Sequence, residues 1–119
     1  MIVVNISLCV FPEKQLELVQ TLSSMIAPTT KDTGCMNCTV LNDIEDKNRF
    51  CLSQEWCNRE DLDRYMKSDR FSVILGTNTL LSEPLVIRID TVSKSEGMEA
   101  VKFARKKTKL SNKTKAYLP

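Results

Sequence analysis

The first ten residues constrain the fold most. Ile2, Val4, Ile6, Leu8 and Val10 alternate with Val3, Asn5, Ser7 and Cys9, a period of two that an extended strand turns into one fully apolar face. Such a strand cannot stand alone, because its backbone groups need hydrogen-bond partners and its apolar face needs cover. Pro12 then stands where a helix accepts proline, in its first turn. Leu16, Val19, Leu22, Met25 and Ile26 follow at spacings that share one helical face, predicting an amphipathic helix that ends near Pro28.

Beyond Thr33-Gly34, residues 35–44 and 49–57 are strand-like and the polar run Glu45-Asp46-Lys47-Asn48 separates them, the pattern of a β-hairpin. On its second arm Phe50, Leu52, Gln54 and Trp56 face one way and Cys51, Ser53, Glu55 and Cys57 the other. A helical region is expected from Arg59 to Leu80, with Leu62, Tyr65 and Met66 in its first part and Phe71, Ile74 and Leu75 in its second. Residues 85–92 read as a closing strand. The order β-α-β-β-α-β predicts an α+β, ferredoxin-like fold, a four-stranded antiparallel sheet with both helices on one face. The other face needs cover, and a homodimer that packs two such faces into a dimeric α+β barrel supplies it. Asn5 shares its face with Val3 and Ser7. That face is expected beneath the helices, leaving Ile2, Val4 and Ile6 for the partner.

A chain of 119 residues, 42% hydrophobic and 27% charged, has the size and balance of one globular domain. Its net charge of +2 hides a division. Residues 1–93 carry nine Lys/Arg against thirteen Asp/Glu, and residues 94–119 carry eight against two. We therefore divide the chain into a mildly acidic domain, 1–93, and a basic extension, 94–119. Within the extension, Glu96 to Lys107 is expected to form a short helix with Met98 and Val101 packed on the body, followed by a tail. Lys102, Arg105, Lys106, Lys107, Lys109, Lys113 and Lys115 suit a phosphate-bearing polymer. No aromatic ladder or nucleic-acid motif accompanies them, so nucleic acid is not an expected partner. The start of the chain has neither a basic n-region nor a long apolar stretch, so a cytoplasmic location away from membranes is expected.

The absence of histidine removes the commonest general base and the commonest metal ligand. No cofactor is expected, whether metal, flavin or haem. The five cysteines, Cys9, Cys35, Cys38, Cys51 and Cys57, are expected as free thiols. Cys35-Met36-Asn37-Cys38 has the gap of redox and zinc motifs, but positions i and i+3 of a regular strand point to opposite faces. The pair could meet only if the strand breaks there.

Gly34-Cys35 leading into a strand, Gln54-Glu55-Trp56 closing the next, and the run Asp61-Leu62-Asp63-Arg64-Tyr65-Met66-Lys67-Ser68-Asp69-Arg70-Phe71 together resemble the antibiotic biosynthesis monooxygenase family. The resemblance covers residues 1–93. It implies a dimeric α+β barrel and oxygenation of phenols, anthrones or quinols without metal or flavin, by direct reaction of an electron-rich substrate anion with oxygen. A related branch degrades haem with an Asn on the first strand, an aromatic in this helix and a His further along it. Asn5 and Tyr65 match the first two, but Leu75 stands at the third, so haem degradation is not expected.

The expected function is thus cofactor-independent monooxygenation of a phenolic or quinol-type small molecule, with a non-catalytic ligand-binding or structural dimer as the alternative. Asn5, Trp56 and Tyr65 are the candidate catalytic residues. The Asn5 amide would bond a substrate oxygen, the Trp56 indole would give a flat wall and an N–H donor, and the Tyr65 hydroxyl would orient or deprotonate a phenol. Phe71 and Leu75 are candidate substrate-binding residues. Each also has a plain packing role open to it, as a strand amide, a core or interface tryptophan, or helical aromatic and aliphatic core positions.

Overall fold

A computed structural model describes residues 1–106. Four strands, β1 (Ile2–Cys9), β2 (Cys35–Asn42), β3 (Arg49–Trp56) and β4 (Val86–Thr91), form one antiparallel sheet in the order β2-β3-β1-β4. Helix α1 (Gln15–Thr30) links β1 to β2, and helices α2 (Arg59–Met66) and α3 (Asp69–Gly76) link β3 to β4. A fourth helix, α4, occupies residues 98–106. The β-α-β-β-α-β order is the expected ferredoxin-like arrangement, and the hairpin and closing strand lie where the sequence put them.

The alternation in β1 does produce one apolar face, but on the side opposite to the one expected. Ile2, Val4, Ile6, Leu8 and Val10 are buried beneath the helices with Leu18, Leu22, Phe50, Leu52, Leu62 and Ile74. Val3, Asn5 and Ser7 lie on the open face. The more apolar face takes the intramolecular core because it loses the most by staying wet. The open face is polar by comparison, with Asn5, Ser7, Ser53, Glu55 and Arg88 among its residues.

Two helical expectations also shift. Helix α1 continues through Pro28 to Thr30, and its buried positions are Leu18, Leu22 and Thr29, while Leu16 and Val19 are exposed. Within a run so rich in apolar residues several phases look alike, and contact with β2 selects one. The expected helix from Arg59 to Leu80 is broken at Lys67-Ser68 into α2 and α3, with a 3-10 turn at Thr77–Leu80. Asn58 caps α2 by accepting from the Asp61 N–H, and Ser68 caps α3 by accepting from the Phe71 N–H. Each side chain satisfies a backbone donor that the first helical turn leaves open.

Gly34 carries the turn from α1 into β2 with φ +84, the one positive φ among the described residues. A Cβ there would collide with the Asp61 carboxylate. The Gly34 carbonyl accepts from the Cys57 N–H at 2.8 Å, so this turn ties the hairpin ends together beside the start of α2. We predict that Gly34→Ala lowers stability by about 1–2 kcal/mol from the backbone conformation alone, with further loss from displacing Asp61. Urea unfolding of the two proteins measures it, and an unchanged midpoint would show that the turn relaxes freely.

Candidate functional site

The site begins with an amide in the core. Gln54 shares the covered face of β3 with Leu52 and Trp56 and is 1% exposed. A buried primary amide must find partners. Its Nε2 donates to Tyr65 Oη at 2.9 Å, and its Oε1 accepts from the Trp56 indole N–H at 3.1 Å. The Tyr65 ring stacks on Trp56 at 4.9 Å between centroids and meets Phe71 edge-on at 5.3 Å, both favourable aromatic geometries. Strand β3, helix α2 and helix α3 are therefore joined through one polar-aromatic cluster.

Burial raises the Tyr65 hydroxyl above its ordinary value, against the opposing influence of Gln54 and Thr29. The Thr29 hydroxyl is fully buried and makes no hydrogen bond of standard geometry. A phenol in this setting holds its proton more tightly than usual, which is the wrong direction for a base.

A cleft of about 250 Å³ opens beside the cluster, lined by Asp32, Thr33, Asp61, Arg64, Tyr65, Ser68 and Arg70. Arg70 makes a two-pronged bridge to Asp32, at 2.5 and 3.2 Å, which joins α3 to the loop after α1. Arg64 pairs with Asp61 at 3.0 Å. The Ser68 hydroxyl donates to the Tyr65 carbonyl at 2.6 Å. Tyr65 thus borders the cleft while its hydroxyl points inward to Gln54.

Trp56, Tyr65 and Phe71 come together, but as a packed cluster rather than the wall of an empty cavity. Asn5 does not join them. It lies on the opposite face of the sheet, where its Oδ1 faces the Cys51 thiol at 3.8 Å, and the expected convergence is corrected for the same reason as the face of β1. Leu75 is 45% exposed on the outer side of α3 and lies apart from both cluster and cleft. Gln54, Asp32, Asp61 and Arg70 were not singled out from sequence. Gln54 left a signal there, an amide on an otherwise apolar strand face, whereas Asp32 and Arg70 are 38 residues apart and left none.

The cysteine pair is corrected too. A bulge at Met36 sets Cys35 opposite Trp56 and Cys38 opposite Gln54, so both fall on the covered side of β2. Burial pushes the Cys38 thiol up to about 11 and raises Cys35 as well, so both are protonated thiols at neutral pH. Among the described residues no group of three His, Cys, Asp or Glu side chains is placed to hold a metal, and all five cysteines are free.

Comparison with known proteins agrees with this architecture. Residues 1–75 match the profile of the family described as antibiotic biosynthesis monooxygenase. The chain belongs to that family. Strands β1, β2 and β3, helix α1 and the Gln54-Trp56-Tyr65-Phe71 cluster all lie within the matched region. A Deinococcus radiodurans protein assigned provisionally as an antibiotic biosynthesis monooxygenase superposes with a TM-score of 0.75 at 18% identity, covering 82% of this chain and 97% of that one. A conserved protein of Methanosarcina mazei gives 0.71 at 28% identity, covering 75% and 89%. The uncharacterised Synechocystis protein sll1783 is 26% identical over 96 residues, 80% of this chain, and the chain spans only 65% of that relative's length.

Two outcomes follow from the buried polar groups. Gln54→Leu leaves the Trp56 N–H without its acceptor and the Tyr65 hydroxyl without its donor, and should cost about 1–3 kcal/mol in urea unfolding. Stability should also fall at alkaline pH. Cys38 and Tyr65 titrate above their ordinary values in the folded protein, so their contribution is complete below those values and is lost as pH rises through the folded ones. For Cys38 that window runs from 9.0 to about 11. Thermal unfolding midpoints across neutral and alkaline pH test this, and a flat profile through the window contradicts the burial of these groups.

Proposed function

We propose that this chain binds a small phenolic or quinol-type molecule in the cleft between Arg64, Ser68 and Arg70, with Tyr65 as its aromatic border. The carrying observation is the adjacency of that cleft to the stacked Trp56-Tyr65-Phe71 cluster. A ring entering it meets the edge of Tyr65 and two guanidinium groups, each already paired with a carboxylate, whose remaining N–H donors suit a phenolic oxygen. A volume near 250 Å³ lies just below the usual range of about 300–1,000 Å³ for small-molecule pockets, which suits a molecule of one ring. Trp56 and Tyr65 act in this reading as positioning residues. Phe71 supports them from α3, and Asn5 and Leu75 take no part.

Family membership favours a second reading, turnover of the bound molecule without metal, flavin or haem. A phenol would lose its proton, the anion would react with dioxygen, and one oxygen atom would enter the ring to give a quinone. The other oxygen would leave as water with the two displaced hydrogens, so that no further reductant is needed. Asp32 and Asp61 are the carboxylates at the cleft, and both are committed to arginines. With histidine absent and the Tyr65 proton held firmly, the local chemistry supports binding more strongly than turnover.

We further propose that the chain acts as a homodimer through the open face that carries Val3, Asn5 and Ser7, with the domain at 1–93 and the extension at 94–119 as separate parts. A cytoplasmic location remains part of this proposal; among the described residues no helix is long and apolar enough to cross a membrane.

The chain's one tryptophan makes the binding reading measurable. Titration with simple phenols and quinols should change Trp56 fluorescence saturably, and Arg64→Ala should weaken the response about five- to tenfold, as for loss of one charged hydrogen bond. No saturable response to any of them would sink the proposal. Tyr65→Phe separates the readings. In the binding reading it leaves affinity unchanged and the native protein consumes no oxygen, whereas in the turnover reading the native protein consumes oxygen and the variant loses that activity.

A further inference from the structure

Two sequence features stand apart from the cleft. Helix α4 forms where the sequence puts a helix, but Met98 and Val101 are 64% and 48% exposed, which corrects the expectation that they lie against the domain. Lys107 and the later lysines, with the tail they were expected to form, lie outside the described residues. The other feature is the run Cys35-Met36-Asn37-Cys38, which the bulge at Met36 turns into a pair of thiols on one side of β2.

Cys35 stands opposite Trp56 and Cys38 opposite Gln54, so only two steps of the ladder separate the thiols. The Cys35 side chain leans along the strand toward Cys38, its thiol donating to the Asn37 carbonyl at 3.5 Å. After burial, the largest cause of the raised Cys38 thiol is charge at Cys35, as befits neighbouring sulfurs. Gln54 completes the surroundings. Its Nε2 donates to Tyr65 and also lies 3.9 Å from the Cys38 sulfur, which places a donor where a thiolate would need one. Cys38 is buried and Cys35 only partly so, giving the pair a dry inner end and an opening to solvent.

The spacing selects the chemistry. Two ladder steps along a strand are about 6.5 Å, near the far limit of about 6.8 Å between the α-carbons of a disulfide, and the two side chains stand side by side rather than facing. A linear sulfur–metal–sulfur bridge asks only that two sulfurs approach to about 4.5 Å, twice a metal–thiolate bond. Among the described residues no group of three ligands gathers here, so tetrahedral zinc is poorly served, whereas soft cations accept thiolate ligands readily. We propose that Cys35 and Cys38 form a two-coordinate site for a soft monovalent cation such as Cu(I). Both thiols release their protons to solvent, both sulfurs donate to the ion, and the bridge keeps one net negative charge that the Gln54 N–H faces. The site shares Gln54 with the aromatic cluster but lies outside the cleft, and it stands or falls independently of the ligand proposed there.

Anaerobic titration of the fully reduced chain with Cu(I), in competition with the chelator bicinchoninate, tests the site. The native chain should withhold one ion per copy. So should Cys9→Ser/Cys51→Ser/Cys57→Ser, which removes every other thiol, none of them buried. Cys35→Ser should weaken retention about a hundredfold or more, beyond what loss of an outer-shell partner costs, and Cys38→Ala should do the same. Because Cys35 is partly exposed, its variant carries the result should Cys38→Ala unfold by circular dichroism. Bound Cu(I) should also change the fluorescence of Trp56, the ladder partner of Cys35, in the native chain and the triple variant but not in the two others. Retention by Cys35→Ser, or its loss in the triple variant, overturns the proposal by placing the ion on other thiols. Uptake of one ion per two copies overturns it as well, since the ion would then bridge separate chains. Displacement of Cu(I) by equimolar Zn(II) does the same, because it demands a fuller ligand set than this pair.

Discussion

The amide of Gln54 organises this half of the molecule. A side chain that bonds a strand tryptophan on one side and a helical tyrosine on the other fixes the rotation of α2 against the sheet. That rotation sets where Asp61, Arg64 and Ser68 emerge, and hence the shape of the cleft. Apolar packing alone would tolerate sliding and turning of α2 at modest cost. A buried amide does not, since moving it by an ångström leaves two groups dry and unpaired. Its contribution is to specificity of arrangement more than to total stability, which comes from the aliphatic residues of β1, β3 and α1.

A second tie acts at the rim. The Asp32-Arg70 bridge is about a quarter exposed on each side, so solvent screens it and it adds little to stability. Its two-pronged geometry instead holds α3 at a set distance from the turn that follows α1. With Gly34 admitting the Asp61 carboxylate at close range, the two ends of the cleft are held by separate devices, one ionic and one steric. The cleft is therefore a product of α1, α2 and α3 together, which no short motif encodes.

The topology was legible because it depends on element order and on local periodicity, which short stretches of chain carry whole. The pattern of β1, the hairpin around Glu45-Asp46-Lys47-Asn48 and the faces of β3 all emerged in this way. What failed were choices between equivalent alternatives. Alternation defines two faces of β1 without saying which one the helices take, and the wrong assignment carried Asn5 into a site it does not share. Leu16 and Val19 fit a helical stripe as well as Leu18 and Leu22 do, and only contact with the sheet distinguishes them. The bulge at Met36 reversed the parity of the Cys35-Cys38 pair without any glycine or proline to announce it. Ser68 followed by Asp69 is a recognisable capping signal, and in the fold it prevails over the continuous apolar spacing that runs through the second helical region.

The site shows the same limit in a sharper form. Trp56, Tyr65 and Phe71 were identified because aromatic residues stand out by type, yet their chemistry depends on what faces them. A buried amide must find partners, and Gln54 rather than Asn5 is the amide that the fold buries. Because the Tyr65 hydroxyl is spent on that partner and burial strengthens its hold on the proton, the residue most suggestive of catalysis becomes part of the scaffold. The groups left to meet a ligand are then the charged ones at the rim, Arg64, Asp61, Asp32 and Arg70. As two ion pairs they leave spare donors and acceptors for a small hydrogen-bonding molecule, and it is this rim that would differ first between relatives that share the fold and bind different molecules.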